Sequence, residues 1–304
     1  MRNLKEKILT VFIILTFAMP LSARADDYQM VADWLKTIKV QDGSTDYTAE
    51  KLKTIYSLRL AVKKEVTDAE IEKYVAKLTS LHMLSLDGTN VTNAGLAFLK
   101  PLVNLDDLDL GSLKGVTGAG LVYLKDLPNL KNLNLQSSGI TGADLETLAT
   151  TLPNLTKLSL SWLKINAGVA SLAKMTKLEE ISFFHSDLDD TGIKSLAPLT
   201  NLKKLFVWGS PITDAGLATV AKFTNLKTLY ISDTKITDKG MQSLKGLQQL
   251  DYLWLDKLPI SDAGLMTLAS CKALTTVYAP GTQITDAGIV KFNAILPKAK
   301  VRNK

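Results

Sequence analysis

One unit returns ten times along the chain, and this repetition restricts the fold more than any other feature of the sequence. The clearest copy spans residues 202–220, and the last five units keep a single spacing. The spacing is about 24 residues, and a unit of this size cannot bury its own apolar face, so neighbouring units must stack. The first apolar residues of the units are Ile55, Leu81, Leu105, Leu130, Leu155, Leu178, Leu202, Leu226, Leu250 and Leu274.

Each part of the unit has a physical reason. Leu205 and Val207 alternate with other residues over a short strand, so their side chains point to the same, inner side. Thr213 is expected to cap a helix, with Asp214 facing the positive end of that helix. The small Ala-Gly pair that follows predicts close packing of the helix on its neighbour. Leu217 and the apolar residues after it recur at helical spacing and close the core.

A hydroxyl-bearing residue recurs in the turn after the strand in six of the ten units. We expect these hydroxyls to hydrogen-bond the turn of the next unit, because backbone groups in a buried turn need partners. The residues at this position are Thr89, Ser138, Ser186, Ser210, Thr234 and Thr282.

These units resemble the leucine-rich repeat family over residues 52–297, and within it the cysteine-containing subclass. Repeats of that subclass read L-x-x-L-x-L, then a Cys or small polar residue, then I-T-D-x-x-L, as the copies beginning at Ile212, Ile260 and Ile284 do. The subclass is familiar from F-box proteins, and similar arrays occur in exported bacterial proteins. Here only Cys271 of the subclass cysteines is kept, and no F-box fits before the array.

The resemblance implies an α/β fold: a right-handed solenoid curved like a horseshoe, with about ten repeats of 24 residues. A parallel β-sheet lines its concave face and helices line its convex face. The expected divisions are a signal peptide (1–25), an N-terminal helical cap (26–51), the solenoid (52–296), and a C-terminal cap strand and tail (297–304). The cap should contain an amphipathic helix over residues 28–38. Lys and Arg on the last strand are expected to guard an exposed sheet edge.

The first 25 residues have the composition of an export signal. A basic start (1–7) precedes an apolar run (8–19), then Pro20, and the small residues Ala23 and Ala25 form a cleavage pattern. The apolar run of about twelve residues is shorter than the roughly twenty that a membrane-spanning helix needs. We therefore expect cleavage near Ala25 and a soluble product that is periplasmic or secreted.

Removing this segment also changes the charge argument. The whole chain carries 36 basic and 30 acidic residues, a net charge of +6. The first 25 residues hold four basic residues and one acidic residue, so the rest holds 32 against 29, a net charge of +3. A nearly balanced chain gives little drive for binding phosphates, so we expect no nucleic-acid partner. One Cys and two His exclude a disulfide framework and Cys- or His-rich metal sites.

The sequence shows no catalytic constellation. His82 and His185 lie more than four repeats apart and cannot share a site, and a nucleophile needs a base beside it. Cys271 occupies a slot that holds Leu247 and Phe223 in other units, which favours a buried structural thiol. The Asp that follows Thr in many units is better explained by its place at a helix start than by calcium binding. We expect no enzyme activity, no cofactor and no metal.

The outward residues of the strands change character midway along the concave face. The half formed by the later units, the aromatic half, carries Phe184, Phe206, Trp208, Tyr230, Tyr252, Trp254 and Tyr278. The half formed by the earlier units, the polar half, carries Asp87, Asp107, Asp109, Asn132, Asn134 and Gln136. Strands about 4.8 Å apart would place Phe206, Tyr230, Trp254 and Tyr278 in a ladder roughly 14 Å long.

This asymmetry predicts a non-catalytic module that binds a protein or peptide on its concave face. The aromatic half would be the anchor, and the polar half would set the orientation. One alternative is that the aromatic residues only stack on one another across strands. Another is binding of carbohydrate or cell wall through the same rings, and a third is substrate recognition like that of F-box relatives. Homodimerisation through the aromatic face also stays open.

Overall fold

A computed structural model describes residues 24–40 and 47–304. Its strands form one parallel sheet in sequence order, so each strand neighbours those that precede and follow it in the chain. The strands are β1 (Ser57–Arg59), β2 (Met83–Ser85), β3 (Asp107–Asp109), β4 (Asn132–Asn134), β5 (Lys157–Ser159), β6 (Glu180–Ser182), β7 (Lys204–Phe206), β8 (Thr228–Tyr230), β9 (Tyr252–Trp254), β10 (Thr276–Tyr278) and β11 (Lys300–Arg302).

A helical segment follows each strand from β1 to β10, which confirms the α/β solenoid. The α-helices are α1 (Ala25–Thr37), α2 (Ala49–Leu52), α3 (Asp68–Lys73), α4 (Asn93–Ala97), α5 (Gly118–Leu121), α6 (Leu145–Thr151), α7 (Asp190–Ser195), α8 (Asp214–Val220), α9 (Asp238–Met241), α10 (Asp262–Thr267) and α11 (Asp286–Ile295). Short 3-10 helices span Val75–Lys77, Val122–Asp126, Gly142–Asp144, Asn166–Lys174, Gln242–Gly246 and Leu268–Ser270. The array ends on β11, a half-unit beyond the ten units counted in the sequence.

The core is one continuous stack of the repeated apolar residues. Leu205 and Leu229 are the central residues of β7 and β8, pair in register and are fully buried. Their neighbours in each strand point to the opposite side of the sheet, as the alternation of a strand requires. Because the register never slips, equivalent positions of successive units lie side by side along the concave face.

At the N-terminal end, α1 covers the open side of the stack. Val31 and Leu35 are fully buried, and the Trp34 ring stacks on Tyr74 with centroids 4.5 Å apart. The helix expected from residue 28 begins at Ala25, because Asp27 closes its first turn by accepting the backbone N–H of Arg24. Residues 1–23 of the proposed export signal lie outside the described residues. Within the described parts of the chain, no helix is long and apolar enough to cross a membrane.

The Asp that begins many of the helices joins its unit to the next one. Asp214 accepts hydrogen bonds from the backbone N–H of Thr237, at 2.8 Å, and from its hydroxyl, at 2.7 Å. Thr237 in turn caps α9 through its side chain. The predicted place at the helix start is confirmed, and the carboxylate has this second role. The same pairs are Asp68 with Thr92, Asp190 with Thr213, Asp214 with Thr237, Asp238 with Ser261, and Asp262 with Thr285.

These Asp–Thr pairs also explain the recurring glycine. A Cβ at Gly240 would lie 2.3 Å from Oδ1 of Asp214, far inside van der Waals contact. Gly264 stands in the same relation to Asp238, at 2.2 Å. The small residue therefore makes room for the carboxylate of the preceding unit, which is a specific form of the close packing predicted from the Ala-Gly pair.

Four of the six turn hydroxyls do not bond as the sequence suggested, whereas the hydroxyl of Ser186 does reach the next unit and lies 3.3 Å from the hydroxyl of Ser210. Thr89, Thr234 and Thr282 donate to carbonyls three residues earlier, in their own turn. Ser210 donates to the carbonyl of Phe183 in the preceding unit, at 2.9 Å. The prediction of a hydrogen bond to the following turn is wrong for these four residues, because each hydroxyl donates instead to a carbonyl in its own turn or in the preceding unit.

We call the unit that begins at Leu155 the seam of the array, because it lacks the Asp–Thr pairing and is shortened around residues 165–169, so that the next unit begins 23 residues later, at Leu178. Its helical segment, Asn166–Lys174, is a 3-10 helix with no side-chain cap. Oδ1 of Asp187, from the following unit, accepts the backbone N–H groups of Ile165 and Asn166, at 2.7 and 2.9 Å. At this shortened unit the carboxylate bond between units therefore runs backwards along the chain, as it also does where Asp144 accepts the backbone N–H of Gly118.

The carboxyl of Asp262 should make the stability of the array depend on acid pH. The backbone N–H of Thr285, and then its hydroxyl, lower the pKa of Asp262 below its ordinary 3.8. Because the folded state favours the ionised form, its stabilisation is complete above about pH 3.8 and is lost as the pH falls through the lower folded pKa. We expect the urea midpoint difference between the protein and Asp262→Asn to shrink as pH falls from about 5 to 2. A constant difference would contradict this role.

Candidate ligand-binding face

The in-register strands bring the predicted aromatic residues of the central column into direct contact. Phe206 and Tyr230 meet edge to face with ring centroids 4.8 Å apart. Tyr230 stacks on Trp254 at 4.6 Å, and Trp254 lies 4.4 Å from Tyr278. The ladder predicted from strand spacing is therefore a continuous row of touching rings across β7 to β10.

Two further predicted residues extend this row at its start. The Phe184 ring lies 5.5 Å from Phe206 and 5.8 Å from Trp208, and it also approaches Tyr230 at 6.3 Å. Tyr252 differs from the others: it is 44% exposed and makes no ring contact with another described aromatic residue. The predicted aromatic half thus consists of a packed row of six rings and one separate, exposed Tyr.

The packed rings are half-buried, so part of their surface is used by cross-strand stacking. Burial raises the pKa of Tyr230 above its ordinary value, although nearby Lys204 acts in the opposite direction. A neutral phenol in a row of rings presents apolar edges with one hydroxyl. Stacking and ligand binding are therefore compatible roles of the same residues, and a binding experiment must separate them.

The polar half is held by hydrogen bonds between neighbouring strands. Asp109 accepts from the hydroxyl of Ser85 at 2.9 Å and from the amide of Asn134 at 2.8 Å. Asp107 accepts from the amide of Asn132 at 3.0 Å, through Oδ2. Asp109 and Asn134 thus belong to one hydrogen-bonded group and Asp107 to another, whereas the carboxylate of Asp87 accepts no hydrogen bond from a described residue.

Small side chains leave space on the polar half that the rings fill on the aromatic half. A depression of about 340 Å³ lies over β1 to β3, at the lower end of the range for ligand clefts. It is lined by Ser57, Arg59, Ala61, Met83, Leu84, Ser85, Asp87, Asp107 and Asp109. A second depression of about 150 Å³ shares Asp107 and continues over β4 to β6.

Two aromatic residues of this surface were missed in the sequence. Trp162 is 59% exposed, and its ring lies 4.2 Å from the His185 ring, which lies 5.7 Å from Trp208. Both Trp162 and His185 have positive φ in the turn after a strand, outside the three columns that alternation defines. The sequence feature that could have drawn attention to Trp162 is the seam, because Trp162 lies just before residues 165–169, where this unit is shortened.

The two His residues and Cys271, which were considered as candidate catalytic residues, make structural contacts and lie too far apart to form one site. Nδ1 of His82 donates to Asp106 at 3.0 Å while its ring stacks on Tyr56. Four strand spacings separate His82, beside β2, from His185, beside β6, which is about 19 Å along the sheet. Cys271 is buried, donates to the Leu244 carbonyl, and burial raises the pKa of its thiol. Among the described residues, no three His, Cys, Asp or Glu side chains come together as metal ligands.

Comparisons with known proteins agree with this architecture. The leucine-rich repeat family model matches residues 174–197 and 224–245. A leucine-rich repeat protein of Leptospira interrogans aligns with a TM-score of 0.55 at 19% identity, over 75% of this chain and 62% of that one. A TDR receptor aligns with a TM-score of 0.52 at 18% identity, over 81% of this chain and 41% of that one.

An internalin of Listeria monocytogenes is also similar, with a TM-score of 0.46 at 20% identity over 93% of this chain and 99% of that one. A comparison with curated protein sequences gives no match. The chain spans less than two thirds of the Leptospira protein and of the TDR receptor, and these alignments bear on the fold. Ten repeated units, one in-register parallel sheet and the match of the family model to two of the units lead to one conclusion: the chain folds as a leucine-rich repeat solenoid.

Proposed function

We propose that the protein is a non-catalytic binding module that holds a protein or peptide on its concave face. The fold is typical of protein-interaction modules. The observation that carries the proposal is the row of touching rings on one half of that face. Such rings combine a large apolar area with few rotatable bonds, as the anchors of protein interfaces do. Exported location, and with it an extracytoplasmic partner, is part of this proposal.

The arrangement of the rings favours a protein over a carbohydrate ligand. A sugar stacks on the free face of an aromatic ring, but Trp254 lies between Tyr230 and Tyr278, with ring centroids 4.6 and 4.4 Å away, and each of these Tyr rings has one side against it. Their edges are left for a partner, and an apolar protein side chain packs against edges readily. Trp162 is the ring that best fits the carbohydrate alternative, because it is 59% exposed and only His185 stacks on it.

Replacing Phe206 and Trp254 with Ser should abolish capture of a protein ligand. Partners would be cross-linked to the protein in the extracytoplasmic fraction of the source organism, identified, and then measured as purified ligands. Loss of two central anchors is expected to weaken the dissociation constant by about thirtyfold or more. Thermal melting of the same variants measures how much stacking energy is lost at the same time.

Two further variants separate binding from folding. Tyr252→Ser removes an exposed ring that makes no ring contact, so it should weaken binding with little change in melting temperature. Tyr123→Ser removes a comparably exposed ring from the 3-10 helix Val122–Asp126 on the helical side and should leave binding unchanged. The proposal fails if binding survives in the double variant, or if it declines only in step with unfolding. Binding to a glycan panel without any protein ligand would favour the carbohydrate alternative.

A further inference from the structure

The concave face has opposite charge on its two halves. The outward positions of β1 to β6, with the residue two after each strand, hold two cations and four carboxylates: Arg59, Lys157, Asp87, Asp107, Asp109 and Glu180. The same positions of β7 to β11 hold four cations and one carboxylate: Lys204, Lys300, Arg302, Lys304 and Asp256. A face divided in this way favours a partner whose own charges are divided in the opposite sense.

The negative half also offers space and free acceptors. Asp87 and Asp107 line the depression of about 340 Å³. Oδ1 of Asp87 is buried without a hydrogen-bond partner, and only Oδ2 of Asp107 accepts a hydrogen bond from a described residue. Arg59 lines the same depression but forms no ion pair with a described residue, so it supplies no direct partner for these carboxylates. A cationic side chain entering the depression would supply the missing donors.

The positive half offers cations next to the rings. Arg302 follows Tyr278 in the register of β10 and β11, so the aromatic ladder ends on a guanidinium. Neither Lys300 nor Arg302 has an ion-pair partner among the described residues. Lys204, beside Phe206, is already paired with Glu180 at 3.0 Å. Free positive charge is therefore concentrated at the far end of the ladder, where an acidic group would meet both an aromatic edge and a cation.

We propose that the partner of the concave face is an extended peptide segment with a Lys or Arg at one end and an apolar, acidic stretch at the other. This rests on the proposed function and adds the chemistry and polarity of the ligand. The basic end occupies the depression at Asp87 and Asp107, and the apolar, acidic end lies over the ladder towards Arg302. Eight strand spacings separate Asp107 from Arg302 and nine separate Asp87 from it. The distance is about 38 to 43 Å, which an extended chain covers with about 12 or 13 residues.

Selection from a displayed library of random peptides tests this directly. Peptides of about 16 residues span the sheet when extended. The library is selected on the protein, on Asp107→Lys and on Lys300→Glu/Arg302→Glu. We expect the protein to enrich peptides with Lys or Arg segregated from a stretch of aromatic, aliphatic and acidic residues. Asp107→Lys should remove only the basic preference, and Lys300→Glu/Arg302→Glu only the acidic one.

One enriched peptide then gives the quantitative test. Replacing its basic residue with Glu should weaken binding to the protein by about tenfold, and Asp107→Lys should recover most of that loss. Glu72→Lys, on α3 at the opposite side of the sheet, is the matched control for net charge and should leave selection unchanged. Circular dichroism and melting establish that each variant is folded.

The possible failures are distinguishable. If peptides are enriched, and lost on Phe206→Ser/Trp254→Ser, but show no charge segregation, the charge inference is wrong and the proposed function stands. The same holds if the charge variants select the same peptides as the protein. If a folded protein enriches no peptide dependent on Phe206 and Trp254, both the peptide ligand and the proposed anchor are wrong.

Discussion

Gly168→Ala is expected to lower the free energy of unfolding by roughly 3 kcal/mol or more, because a new methyl group would meet backbone rather than a movable side chain. A Cβ at Gly168 would lie 1.8 Å from the carbonyl oxygen of Gly142 and 2.5 Å from its carbonyl carbon. Relief requires the two units at the seam to separate. Urea unfolding followed by circular dichroism measures the change.

Gly246→Ala is the matched control for that substitution. A Cβ at Gly246 meets no atom within 4 Å, and its backbone φ is not in the left-handed region. The same chemical change is therefore expected to alter stability by no more than about 1 kcal/mol, in the stabilising direction if at all. Similar effects of Gly168→Ala and Gly246→Ala would show that close approach between units does not limit the seam.

Phe223→Ala is expected to cost about 3–5 kcal/mol, the usual range for emptying a buried Phe site. The side chain is fully buried between successive units, where neighbouring units limit collapse of the cavity. Cys271 occupies the equivalent position of a later unit and is also fully buried. Cys271→Ala removes a much smaller group and should cost about 1 kcal/mol. Urea unfolding of both variants measures the difference.

The comparison has a defined contrary result. If Cys271→Ala destabilises as much as Phe223→Ala, the thiol must contribute through its hydrogen bond to the Leu244 carbonyl rather than through volume. Phe223→Leu is a useful third variant, because Leu247 fills the same position in the unit between them. It should recover most of the stability that Phe223→Ala loses.

Most of this fold can be predicted from the sequence, because the regular period determines which residues of successive units lie side by side. Alternation in each unit identifies the buried leucines and the outward columns, and a constant period keeps the columns in register. Phe206, Tyr230, Trp254 and Tyr278 therefore meet as strand spacing alone predicts. Position within a unit specifies which residues become neighbours, provided that the units are regular.

The period does not predict contacts that depend on the direction in which a side chain points. Spacing places Asp214 at a helix start, but it does not reveal that the carboxylate reaches Thr237 in the next unit. Trp162 and His185 were missed because both lie in turns with positive φ, where alternation between two faces no longer applies. The depression at Asp87 also follows from the small size of several neighbours together, and no single motif marks it.

The Asp–Thr pairs between units have a consequence for how such a chain can change its length. A unit such as 226–249 contains the Thr and Gly that receive the preceding carboxylate, together with the Asp offered to the following unit. Duplication of a whole unit therefore brings both halves of the connection with it, and no neighbour has to change. The seam at residues 165–169 lacks this interchangeability. Natural insertions and losses of complete units should therefore fall in the regular array and spare the seam, lengthening or shortening the ligand face one strand at a time.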